Sequence, residues 1–196
     1  MRGASGLRHQ LVTGQQKDVF DYWSGLAKAK ARTAGAPHDA CLHDGAHHMA
    51  ALPNREDIDP TRIARQLPFV SLFERNGNGR FEVRLAGTGF WNFFGSEISG
   101  RRLDDLPLGE GCAYWHRVLS HVCATGQPMA GTTAPNTPQG GHLRQFWLRL
   151  PLASESGIVV LGFDQFLRAP SETGERKPSR LMRPVFGTGA PLLVGA

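Results

Sequence analysis

The stretch "HLRQFWLRLPL", residues 142–152, places Phe146, Leu148, Leu150 and Leu152 on one side of an extended chain and Gln145, Trp147 and Arg149 on the other. A period of two is the signature of a β-strand. The next apolar run, "GIVVLGF" at 157–163, follows the polar turn "ASESG" and is apolar on both sides. An antiparallel strand with one face in water avoids that pattern, so both faces of this sheet must be covered. The Phe146 and Leu148 side is expected to meet the main helical layer, with Trp147 on the outer face under a separate element.

The candidate cover is "DVFDYWSGLAKAKAR", residues 18–32, in which Val19, Trp23, Leu26 and Lys30 recur at helical intervals behind Asp18 as N-cap. Its apolar stripe is narrow, so the helix needs a surface to pack on. A linker rich in Ala, Gly and His is expected over 33–52, then a short helix opened by Asp59 and Pro60 and ended by Pro68. "FVSLFE" and "FEVRLAG" flank "RNGNGR", a hairpin whose glycines and asparagines suit positive-φ turn positions. Helical pieces follow near 88–95 and 102–107, then a long helix, "EGCAYWHRVLSHVCATG", with Trp115, Val118, Leu119 and Val122 on one face and Gly126 as C-cap. Strands near 128–134, 142–152 and 157–166 close the domain. Hairpins at both ends with helices between them predict an α+β fold built on one antiparallel sheet.

Composition limits the function classes. The 196 residues carry a net charge of +5, yet residues 53–167 hold 11 basic and 11 acidic side chains, so no element concentrates positive charge for specific nucleic-acid binding. Cys41, Cys112 and Cys123 are sparse and unpaired in spacing, which fits a reducing compartment. The start of the chain lacks the apolar run of a signal peptide and the longest apolar stretch is far short of a membrane span, so a cytoplasmic, membrane-free protein is expected. Residues 1–17 are expected to be flexible, 18–32 helical, 33–52 a loop, 53–167 the domain, and 168–196 a disordered tail rich in Pro, Gly and basic residues.

"DYWSGL", "LPNREDIDPTRIARQLPFVSLFE", "FEVRLAGTGFWNFFGSEISGRRLDDL" and "RLPLASESGIVVLGF" resemble the PAS domain family, in particular its small single-domain bacterial members. The resemblance covers most of residues 20–166. It implies a five-stranded antiparallel sheet, helices on one face enclosing a small-molecule pocket, and a leading amphipathic helix on the other that often mediates dimers. It also implies sensing or assembly rather than catalysis. The function expected is therefore a non-catalytic sensory or protein-interaction module with room for a small apolar ligand, signalling through a protein partner and forming a homodimer.

The ligand-binding set expected is Phe90, Trp91, Phe94, Trp115, Val118, Leu119, Phe146 and Leu148, since these lie on the apolar faces that meet in the proposed order. The four rings of "GFWNFFG" cannot all face inward on one helix, so core packing comes first and pocket lining second. Trp23, Leu26 and Trp147 are expected at the dimer interface. Arg102 and Asp105 suit an i,i+3 surface ion pair. His38, Cys41, His43, His47 and His48 could ligate zinc or nickel, but their spacing matches no tetrahedral motif, so no metal is expected there. No particular cofactor follows from the sequence. Two alternatives stay open: a haem- or metal-binding sensor using His116 or His121, and a pocket enzyme of ketosteroid-isomerase shape with Asp104, Asp105 or His116 as general base.

Overall fold

A computed structural model describes residues 2–33, 52–135, 143–155, 157–168 and 185–186. The His-rich segment, its candidate ligands and nearly all of the tail lie outside them. Helices α1 (Arg2–Gln10) and α2 (Gly14–Thr33) lead into three short 3-10 turns, then β1 (Val70–Arg75) and β2 (Phe81–Ala86). Helix α3 (Gly89–Phe94), a 3-10 turn at Leu103–Asp105 and the long α4 (Gly111–Thr125) precede β3 (Met129–Thr133), β4 (Leu143–Ser154) and β5 (Gly157–Arg168). A two-residue β6 (Val185–Phe186) pairs with the edge of β3. Its place in the segment expected to be disordered is a correction. The sheet runs β2-β1-β5-β4-β3-β6, antiparallel throughout, so the expected five strands are present with one short addition.

Local chemistry accounts for the boundaries. In the first hairpin Asn76 Oδ1 accepts from the Asn78 and Arg80 amides at 3.2 and 2.9 Å, and Gly79 takes the left-handed position at φ 76°. Asp59 accepts from the Thr61 amide at 2.9 Å behind Pro60, as expected, although the turn it opens is 3-10. Helix α2 begins before the expected Asp18. Thr13 Oγ1 accepts from the Gln16 amide at 3.1 Å while Gln16 Oε1 accepts from the Thr13 amide at 3.2 Å, a reciprocal capping box in "TGQQ". Residues 2–17 therefore hold a helix and a cap.

Two cores share the sheet. On one face α1 and α2 bring Leu7, Val19, Phe20 and Trp23 against Leu148, Leu150, Leu152 and Leu161. On the other, α3 and α4 bring Phe90, Trp115, Val118 and Leu119 against Phe73, Val83, Trp147 and Val160. Both faces are covered, as the pattern of β5 demanded. The assignment of sides is the reverse of the expected one: Leu148 faces α2, with Phe146 on the same side of the strand, and Trp147 faces α4. Helix α2 settles the matter by bonding directly to β4, with Gln16 Nε2 donating to the Trp147 carbonyl at 3.1 Å and Trp23 Nε1 to the Pro151 carbonyl at 2.9 Å. Trp23 and Trp147, 5% and 0% exposed, are thus buried on opposite faces and cannot share a dimer patch; half-buried Leu26 lines a shallow groove beside Asp57 and Arg62 instead.

Candidate functional site

The face of β4 that meets α4 carries Gln145, Trp147 and Arg149, and it would be a poor core if each polar group stood alone. Register prevents that. Arg149 is diagonal to Asp164, the cross-strand neighbour of Trp147, and its terminal nitrogens donate to both Asp164 carboxylate oxygens at 2.9 and 3.0 Å. Gln145 Nε2 donates to Asp164 at 2.7 Å, and Thr133, opposite Gln145 on β3, donates to Gln145 Oε1 at 3.0 Å. The four residues form one network with every member at most 7% exposed.

Glycines make room for the large members. Gly131 lies opposite Trp147, where a Cβ would come within 2.5 Å of the indole. Gly162 lies opposite Arg149, where a Cβ would meet Ser71 Oγ at 2.4 Å and an Arg149 guanidinium nitrogen at 3.2 Å. The guanidinium then lies among three rings, its centre 4.6 Å from the Trp115 centroid, 5.3 Å from Phe73 and 5.7 Å from Trp147. Burial pushes the Tyr114 hydroxyl well above the usual tyrosine range, only partly offset by the Arg149 charge.

Above this wall is a cavity of about 340 Å³ between the sheet and the helical layer. Arg149, Asp164, Gln145, Thr133 and Tyr114 form its polar side; Phe73, Phe90, Phe93, Phe94 and Trp115 supply aromatic surface, and Ile98, Leu103, Leu106 and Leu108 aliphatic surface. Glu110, exposed at the start of α4, also lines it. Volume and lining fall in the range of small-molecule sites.

Of the expected ligand set, Phe90, Phe94 and Trp115 line the cavity. Val118 and Leu119 are buried beneath α4 without reaching its wall. Trp91 is 57% exposed and points away, because a single helix cannot bury all four rings of "GFWNFFG". Phe146 and Leu148 belong to the other face of the sheet and are removed from the set. Arg149 and Asp164 were not among the expected residues; their signal in the sequence is a charge in the middle of each apolar strand.

Asp104, Asp105 and His116 do not line the cavity, nor does His121. Asp104 and His116 Nε2 pair at 2.6 Å near the surface, which holds the Asp104 carboxyl below its ordinary range. Asp104, Cys112 and His116 bring potential metal-ligating atoms within 4.8 Å of one another, with Arg80 3.9 Å from the same carboxylate. Arg102 and Asp105 form the expected exposed ion pair at 2.9 Å.

A single antiparallel sheet with helices closing a cavity over one face defines a class of ligand-pocket domains. A family model described as a PAS domain matches residues 13–164, most of the chain, and the protein belongs to the PAS domain family. No curated protein matches the chain. The family is one of sensory and interaction modules. Among the described residues no helix is long and apolar enough to cross a membrane.

Proposed function

We propose that this PAS domain is a non-catalytic sensor that holds a small, mainly apolar ligand in the cavity beside Arg149 and passes occupancy to a partner through α3. The observation that carries the reading is the cavity itself, aromatic and aliphatic on most sides with one convergent polar wall. Helix α3 suits the output role because Phe90, Phe93 and Phe94 touch the cavity while Trp91, on the same short helix, is exposed to a partner. A ligand that repacks the inner rings displaces Trp91 with them. The partner, whether a signalling protein or the second copy of an expected homodimer, would meet this side of the chain.

Native mass spectrometry of the full-length protein tests the reading. A bound small molecule is expected, and Ala134→Phe, which fills the cavity wall, should release it. An identical mass with and without unfolding would remove the ligand role.

A further inference from the structure

We propose that Asp104, Cys112 and His116 form a zinc site outside the cavity, with the fourth position left to water. Cys112 and His116 are one turn apart on α4, so their side chains leave the same side of the helix. The Leu103–Asp105 turn brings Asp104 against that side. The donors converge on one atom: Asp104 Oδ1 is 2.6 Å from His116 Nε2 and 3.7 Å from Cys112 Sγ, and all three ligating atoms lie within 4.8 Å of one another. Bonds of about 2.0–2.3 Å to a tetrahedral zinc set such donors roughly 3.3–3.6 Å apart, so movements of about 1 Å complete the geometry.

The donor set selects the metal. One thiol, one imidazole and one carboxylate suit a borderline-soft ion, whereas calcium and magnesium want a shell of oxygens. Access is open, since the His116 and Asp104 side chains are 30% and 36% exposed. Charge also fits: a carboxylate and a thiolate together balance a divalent ion, and Arg80, 3.9 Å away, lies on Asp104 Oδ2 and leaves Oδ1 to the metal. The Phe81 ring, its centroid 5.8 Å from that of the imidazole, helps to hold His116 in place. Zinc here staples α4 to the Leu103–Asp105 turn, and Leu103, Gly111, Tyr114 and Trp115 from these two elements line the cavity. The ion would therefore stiffen one cavity wall independently of what the cavity holds.

Cobalt titration of the full-length protein, freed of metal by a chelator, tests the inference. It is run on the natural chain and on a variant with His38, Cys41, His43, His47 and His48 changed to Ala, so that the His-rich segment supplies no ligand. One equivalent of cobalt is expected to bind in that variant, with the intense visible bands of a tetrahedral ion and a thiolate-to-cobalt band in the near ultraviolet, and zinc should displace it. Cys112→Ser should abolish the thiolate band and Cys123→Ser should not, while Asp104→Asn and His116→Gln should each weaken binding at least about tenfold. Zinc should also raise the melting temperature, by binding the folded state alone, and Cys112→Ser should lose most of that gain. Absence of cobalt uptake, an octahedral spectrum without a thiolate band, or a thiolate band that survives Cys112→Ser overturns the site and leaves Asp104 and His116 as a surface hydrogen bond.

Discussion

Strand β4 sets the two faces of the sheet side by side. Toward α2, Leu148, Leu150 and Leu152 are each 0% exposed; toward α4, Trp147 and Arg149 are 0% and 2% exposed, so the faces are equally buried. Their chemistry differs. The first face is a sealed aliphatic layer under α1 and α2 whose polar contacts are side chains reaching strand carbonyls. The second mixes rings with an ion pair, a glutamine and a threonine, and borders the cavity. Depth of burial therefore does not separate a core from a site, whereas the chemistry of the buried groups and the cavity beside them does.

The largest effect is expected on the aliphatic face. Removing residues 1–33 strips the cover from Leu148, Leu150 and Leu152, and the shortened chain should not give a soluble cooperative fold; the point change Leu150→Ala should cost about 2–5 kcal/mol. Urea unfolding followed by circular dichroism measures both, and a truncated chain that melts like the full one would show that this face is not a core.

Breaking the polar face tests a different dependence. Asp164→Ala leaves Arg149 buried and unpaired and should cost about 3–5 kcal/mol, while replacing both partners by Leu and Met should cost less, about 1–3 kcal/mol, chiefly for the Gln145 amide left without Asp164. A single change as mild as the double one would mean that the pair is not desolvated. Gly131→Ala comes next: the added methyl must displace the Trp147 indole, at a cost of about 1–3 kcal/mol and a change in tryptophan emission. An unaltered spectrum and stability would deny the close approach.

The smallest effect lies on the surface. The Asp104 carboxyl is held below its ordinary value, first by the His116 hydrogen bond. Its contribution to stability is present above the unfolded carboxyl pKa and is lost as pH falls through the lower folded value. Asp104→Asn should therefore show a slight deficit at neutral pH that closes in acid, read from melting temperatures across the acid range. A deficit that grows in acid would reverse the sign.

The turn at Asn76 and Gly79, the cap at Gly126 and the alternation of β4 were all legible in the sequence, because each depends on residues close together in the chain. The side to which β4 turns its leucines was not. An alternating strand announces two faces without saying which element covers which, and Arg149 reads as a surface residue until register brings Asp164 beside it. The cap of α2 was legible and overlooked: "TGQQ" carries it five residues ahead of the expected Asp18. For the cavity, the aromatic run pointed to the right helix, while the polar wall needed three strands in alignment.

The pairing of Gly131 with Trp147 and of Gly162 with Arg149 reaches beyond a single molecule. Each pair divides one fixed space, so that the bulk of one residue is the other's missing side chain. A lineage that shortens Trp147 frees position 131 to grow, whereas one that enlarges position 162 must make room at Ser71 and Phe73 as well as at the arginine. Among relatives the two pairs should co-vary in size, leaving in a set of sequences a record of the site that a single sequence conceals.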